Sequence, residues 1–103
     1  MKVSILLCTA PAEEARALAD RLLQAKLVAC VNLVGPVESR YWWEGRVESA
    51  EETLMVVKTA ADRVQATCEA IEEWHSYDTP EVLEVGVASG AARYLAWVFE
   101  STR

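Results

Sequence analysis

The sequence has no excess of basic residues, and this excludes several classes of partner. It contains 10 lysine and arginine residues against 16 aspartate and glutamate residues, so its formal net charge is −6. Nucleic acids and anionic membranes bind basic surfaces, because cations on the protein displace the counterions of the polyanion. We therefore expect neither nucleic acid nor a membrane surface as a partner.

Long apolar runs are also missing. No stretch approaches the roughly 20 apolar residues that a membrane-spanning helix needs. The apolar start of the chain, residues 1–8, is too short for a signal peptide and runs directly into a helical pattern. We therefore expect a cytoplasmic protein. Its 103 residues are a suitable length for one domain, residues 1–103.

Cysteine and histidine are scarce. The cysteines, Cys8, Cys30 and Cys68, are odd in number, far apart and set in apolar runs, which favours reduced, buried thiols. There is one histidine, His75, and no C-x-x-C or H-x-x-x-H spacing, so a structural zinc site is not expected. A phosphate-binding loop, a dinucleotide fingerprint and a Ser-His-Asp or Cys-His arrangement are also absent. We therefore do not expect an enzyme.

Strand and helix patterns alternate along the chain. The pattern predicts, in chain order, a strand at 2–9, a helix starting at Pro11, strands at 28–43 and 46–59, a helix at 62–74, a strand at 81–87 and a helix at 91–101. This β-α-β-β-α-β order with a terminal helix predicts an α+β fold of the ferredoxin-like type, with an antiparallel sheet and two helices on one face. The other face also needs a covering layer, which we expect a second subunit to supply.

The predicted hairpin is too long for its domain. A strand over residues 28–43 would reach roughly 53 Å at about 3.3 Å per residue, whereas a compact chain of this length is roughly 33 Å across. Gly35-Pro36 is the expected bend or bulge. The far end carries Tyr41, Trp42 and Trp43, which a projecting tip cannot bury against its own domain. Such clusters mark partner surfaces, so we predict a homo-oligomer with these three residues in its interface.

The densest polar segment, residues 75–81, supports two interpretations. His75 could bind a metal or shuttle a proton, with Tyr77, Asp78 or Glu81 beside it. Alternatively, His75 caps the C-terminus of the second helix, and Tyr77 packs with its hydroxyl hydrogen-bonded. Both interpretations are carried forward.

Cys8 is the thiol of greatest chemical interest. It precedes a predicted helix, and a helix N-terminus lowers the pKa of a thiol and favours the thiolate. A thiolate together with an imidazole would suit copper. For Cys30 and Cys68 the plainer interpretation, a small buried hydrophobic residue, is preferred.

Lys58 lies on the predicted return strand together with Glu51 and Glu52. The three side chains could form an ion pair that lines a cleft. The alternative is a solvated strand end, where such a pair contributes little to stability.

Several local motifs occur together and in order. They are Leu7-Cys8-Thr9-Ala10-Pro11, Leu27-Val28-Ala29-Cys30-Val31-Asn32-Leu33, Ser39-x-Tyr41-x-Trp43-x-Gly45, Val57-Lys58-Thr59, His75-x-Tyr77-x-Thr79-Pro80-Glu81 and Tyr94-Leu95-x-Trp97. Together they span essentially the whole chain, which resembles the CutA family of divalent-cation tolerance proteins. Each motif alone would be a weak signal.

The resemblance implies a ferredoxin-like homotrimer similar in architecture to PII signalling proteins, a link to copper and other divalent metals, and no established reaction. It implies copper ligands at Cys8 and His75. Trp74 occupies the position of a further histidine, and its indole N–H cannot ligate a metal. We therefore expect only weak binding of copper or another divalent cation. We expect the clefts between subunits to be lined by Lys58, Tyr77, Asp78, Glu81, Tyr94 and Trp97.

Three functions stay open at this level. The first is a non-catalytic, metal-responsive trimer that contributes to divalent-cation tolerance. The second is a PII-like sensor, whose clefts would bind an anionic metabolite through Lys58 and nearby backbone donors. The third is a stable trimeric scaffold that acts through a protein partner.

Overall fold

Strands and helices alternate in the computed structural model, which describes residues 2–103. The elements are β1 (Val3–Ala10), α1 (Ala12–Gln24), β2 (Cys30–Trp43), β3 (Arg46–Ala60), α2 (Val64–Trp74), β4 (Leu83–Gly86) and α3 (Ala92–Ser101). A 3-10 turn, Ala61–Arg63, leads into α2. The predicted element order is confirmed, although β4 is shorter than the predicted strand at 81–87. No helix in residues 2–103 is long and apolar enough to cross a membrane.

The strands form one antiparallel sheet in the order β2-β3-β1-β4. Alternate side chains of β1 point to opposite faces, so Leu6, Cys8 and Ala10 pack into the core shared with α1 and α2. A stripe of α1 side chains at helical spacing is buried there as well: Ala15, Leu18, Ala19 and Leu22. The α+β fold of the ferredoxin-like type is therefore confirmed.

The second face of the sheet is covered by α3 at one end. Val98 of α3 packs there with Val3 and Ala29. Beyond this small cluster the face stays open, and Leu83 and Val85 of β4 are 57% and 46% exposed. Within one chain, the second face is therefore only partly covered.

The hairpin of β2 and β3 projects from the domain. Its two-residue turn, Glu44-Gly45, has positive φ angles of 49° and 76°, the geometry that matches the twist of a hairpin. The register breaks between Val34 and Val37, as predicted for Gly35-Pro36. The molecule measures 44 × 25 × 22 Å as a result. We call residues 37–52, beyond the break, the arm.

Close packing against Thr53 explains the glycine at position 35. A Cβ atom there would lie 3.0 Å from the Thr53 hydroxyl oxygen and 3.4 Å from the Thr53 Cα. The two strands approach each other closely at the register break, so a Cβ at position 35 would require Thr53 to shift.

Candidate functional site

His75 lies at the end of α2 with its side chain fully buried. Its Nε2 is 2.8 Å from the Thr9 carbonyl oxygen, and its Nδ1 is 3.0 Å from the Tyr77 backbone nitrogen. A carbonyl only accepts and an N–H only donates, so these bonds place the ring proton on Nε2 and a lone pair on Nδ1. Both nitrogens of His75 therefore have partners within the chain.

Glu14, in the first turn of α1, holds the segment after α2. Its two carboxylate oxygens accept the backbone N–H of Ser76 at 2.8 Å and the Ser76 hydroxyl at 2.6 Å. Oε2 also lies 3.2 Å from Nδ1 of His75. Partial burial raises the pKa of Glu14, but the two hydrogen bonds from Ser76 outweigh it, so the pKa is lowered overall.

Tyr77 connects the segment after α2 to the arm. Its hydroxyl donates to Oε2 of Glu52 at 2.8 Å, and its ring lies 4.5 Å from the ring of His75, centroid to centroid. Burial, followed by the bond to Glu52 and its charge, raises the pKa of Tyr77 to about 12. Glu52 itself is only 6% exposed. The interpretation in which Tyr77 packs with its hydroxyl bonded is thereby confirmed.

The expectation of an acidic thiol at Cys8 is wrong. Burial, followed by the charges of Glu81, Glu14 and Glu52, raises the pKa of Cys8 to about 12. Cys8 lies within β1, and its side chain faces the core rather than the exposed start of α1. Loss of hydration and three carboxylates therefore outweigh any effect of the helix dipole.

The other two cysteines are less buried than expected. Cys30 and Cys68 are half-buried, not buried, and both are free thiols. Burial and the nearby Glu84, Glu72 and Glu69 raise the pKa of Cys68.

Copper does not fit this donor set in the present conformation. The Cys8 thiol donates to the Thr9 carbonyl oxygen at 3.8 Å, the same oxygen that His75 bonds. The thiol is protonated at neutral pH, and neither His75 nitrogen has a free lone pair. Within residues 2–103, no three histidine, cysteine or acidic side chains are grouped as a metal site would require.

Trp74, which stands where the resemblance implies a further histidine, contacts an arginine side chain. The guanidinium carbon of Arg21 lies 3.9 Å from the centroid of its ring, a cation–π contact between α1 and α2. Trp74 therefore contributes to helix packing at this position.

The six predicted cleft residues fall into two groups. Tyr77 and Glu81 lie near the Cys8–Thr9 end of β1, and Asp78 follows Tyr77 with its side chain exposed. Burial, followed by the charge of Glu52, raises the pKa of Glu81. Lys58 is opposite Ile5, about 13 Å along the strand from Thr9. The remaining two, Tyr94 and Trp97, lie on α3 with their rings 5.6 Å apart, centroid to centroid. Tyr94 lies beside Cys30, which pairs with Lys58, so Lys58, Tyr94 and Trp97 form the second group. One chain does not bring this group to the first.

The ion pair of Lys58 with Glu51 or Glu52 is also wrong. Lys58 lies about 20 Å along β3 from Glu52. None of the ion pairs within residues 2–103 includes Lys58.

The predicted interface residues are exposed at the tip of the arm. Trp42 is 74% exposed, and Tyr41, Trp43 and Val47 are about half exposed. Their side chains lack partners that could bury them within the described part of the chain, which fits the expectation of a partner surface.

Sequence reasoning did not assign Glu14 and Glu52 to this site. No sequence motif singles out Glu14, and the sequence places Glu52 only beside Lys58. Both roles depend on residues more than 20 positions away, Ser76 for Glu14 and Tyr77 for Glu52. No local spacing carries that information.

A family model described as CutA1 divalent ion tolerance protein matches residues 4–101 of the chain. The chain belongs to the CutA1 family. The divalent-cation tolerance protein CutA of Pectobacterium atrosepticum is 40% identical over 100 residues, which cover 96% of this chain and 91% of that protein. The crystal structure of CutA1 from Oryza sativa has a TM-score of 0.96 at 38% identity, covering 100% of this chain and 95% of that chain.

Other CutA proteins are longer. Protein CutA 1, chloroplastic, of Oryza sativa subsp. japonica is 40% identical over 100 residues, covering 96% of this chain but 56% of that protein. The chain thus spans little more than half the length of this relative. The CutA1 fold, in contrast, is represented here over essentially its full extent.

Proposed function

We propose that this CutA1-family chain is a non-catalytic homotrimer that contributes to divalent-cation tolerance. The observation that carries the proposal is the arm, whose tip presents Trp42 at 74% exposure together with three further large apolar side chains. Exposed apolar surface of this extent is stabilised when a partner covers it. The partner we propose is two further copies of the same chain.

One chain offers two different surfaces for contact with its copies. The tip of the arm is aromatic, whereas the open sheet face around Leu83 and Val85 is aliphatic. These surfaces differ, so a contact between them is head-to-tail, and a head-to-tail contact closes into a ring when the rotation allows. Three copies would cover all three arms and all three open faces.

Sedimentation tests the assembly. The wild-type chain should sediment at three times its 11.4 kDa mass, independently of concentration in the micromolar range. Replacing both Trp42 and Trp43 with serine should convert it to a folded, smaller species. Leu23→Ser is the matched control, because Leu23 is a partly exposed apolar residue of α1, away from the arm. A folded 11.4 kDa wild-type particle would refute the trimer.

Metal titration tests the ligand assignment separately. Wild type, Cys8→Ala and His75→Ala are titrated calorimetrically with Cu(II) and Cu(I). Since the donor atoms of both residues already have partners, we expect weak binding that is the same in all three proteins. Loss of binding in either variant would instead identify that residue as a ligand.

The cytoplasmic location expected from the sequence stays a prediction. The rice relative is named as chloroplastic. Cell fractionation, with an antibody against the chain, would decide the compartment.

A further inference from the structure

A continuous line of contacts joins the sheet core to the arm through His75. The carbonyl oxygen of Thr9 in β1 accepts a hydrogen bond from Nε2–H of His75. Nδ1 of His75 accepts one from the backbone N–H of Tyr77, and the Tyr77 hydroxyl donates one to Glu52. The His75 and Tyr77 rings also pack against each other, 4.5 Å apart at their centroids. We call His75, Tyr77 and Glu52 the strut.

The strut joins Thr9, the partner of His75, to Glu52, and these two residues lie on opposite sides of the register break. Thr9 is paired with Leu54, in the uninterrupted part of the sheet. Glu52 is paired with Val37, the first pair of the arm beyond Gly35-Pro36. The strut therefore bridges the place where the hairpin ladder is interrupted.

The strut is buried, and burial increases the contribution of its hydrogen bonds to stability. His75 and Glu52 are 7% and 6% exposed, so their polar atoms have little access to water. A hydrogen bond to a charged group in such surroundings is stronger than one at the surface, and a partner left unpaired there is costly. The direction in which the arm leaves the sheet is thereby tied to the position of Tyr77.

We propose that His75 is a positioning residue that, through Tyr77 and Glu52, sets the arm in the orientation needed for assembly. This assigns His75 a role other than metal ligand, in agreement with a ring whose two nitrogens both bond within the chain. The part of the proposal that concerns assembly rests on the proposed homotrimer. The part that concerns the arm holds for one chain.

The first test removes one atom of the strut. Tyr77→Phe deletes the hydroxyl that bonds Glu52 and keeps the ring. Ser4→Ala is the matched control, because the Ser4 hydroxyl donates to a carboxylate oxygen of Glu84 over the same 2.8 Å, but between β1 and β4. Both variants lose one hydroxyl–carboxylate bond, and only one of these bonds reaches the arm.

Hydrogen exchange measured by mass spectrometry reports on the arm directly. In Tyr77→Phe, amides of residues 37–51 should exchange at least about tenfold faster than in wild type, the effect of one bond to a charged group. In Ser4→Ala their exchange should stay at the wild-type rate. Equal arm exchange in Tyr77→Phe, Ser4→Ala and wild type would overturn the proposal.

Sedimentation of the same proteins separates the two proposals. A wild type that is monomeric at every concentration refutes the homotrimer, while the exchange comparison still tests the strut. A trimeric wild type with a trimeric, slowly exchanging Tyr77→Phe refutes the strut and leaves the homotrimer standing. Weaker association of Tyr77→Phe, with Ser4→Ala unchanged, supports both.

Conservative substitutions of His75 complete the test. His75→Gln places an amide donor near the former Nε2, and His75→Asn places an amide oxygen near the former Nδ1. Each retains one of the two bonds, so both should speed exchange in the arm, and Tyr77→Phe should add little in either background. Cu(II) binding that disappears in both variants while arm exchange stays at the wild-type rate would show a ligand in place of a positioning residue.

Discussion

The raised pKa of Cys8 makes stability fall at alkaline pH. The thiol has a pKa of about 12 in the folded chain, against 9.0 for an unperturbed cysteine. Above pH 9 the unfolded chain loses this proton while the folded chain keeps it, so the unfolded state binds fewer protons and stability declines with rising pH. The contribution is fully present below pH 9 and is lost progressively between about pH 9 and pH 12.

The size of the effect follows from the two pKa values. At pH 11 the linkage relation gives a loss of about 3 kcal/mol from Cys8 alone. Tyr77, whose pKa is raised to about 12, acts in the same direction. Its ring is 37% exposed, so solvent screening makes its share smaller.

The assay compares wild type with Cys8→Ala. The free energy of unfolding is measured by urea denaturation at intervals from pH 8 to pH 11, with a reductant present. The variant should lose stability less steeply, and the difference between the curves should shrink by about 3 kcal/mol across this range. Cys68→Ala should change the slope in the same direction but less, since the Cys68 thiol is only half-buried and its pKa is raised less. Parallel curves for wild type and Cys8→Ala would refute the reasoning.

Two further predictions concern packing. Ile71 is fully buried against α1 and the sheet, so Ile71→Ala should lower the free energy of unfolding by about 2–5 kcal/mol, measured by urea denaturation. Gly35→Ala should destabilise the chain by about 1 kcal/mol or more, because its Cβ would meet Thr53 at 3.0 Å. Gly86→Ala is its control, as nothing lies within 4 Å of a Cβ there; equal thermal stability of the two glycine variants would contradict the packing argument.

Local patterns were sufficient for the element order. The apolar run of β1 and the stripe of Ala15, Leu18 and Leu22 depend on neighbours one to four positions away, which the chain itself displays. The break at Gly35-Pro36 was equally legible, because both residue types disturb a strand wherever they occur. The β4 boundary was less accurate, since that strand pairs over only four positions.

Local sequence patterns did not predict the thiol pKa or the side-chain pairing at the candidate site. Cys8 lies before a helix in sequence, but its pKa depends on which face of β1 it occupies and on three distant carboxylates. Lys58 and Glu52 share a strand, yet an extended backbone separates them. Each of these errors arose from treating closeness in sequence as closeness in space.

The sequence by itself determined the periodicities, the bend and the aromatic tip, because these are properties of adjacent residues. Only the tertiary structure decided that His75 bonds both Thr9 and Tyr77, and that Tyr77 reaches Glu52 across the register break. The contacts of His75 with Thr9 and of Tyr77 with Glu52 join parts of the chain 66 and 25 residues apart. They form when folding excludes water and leaves each buried polar group to find its partner within the protein.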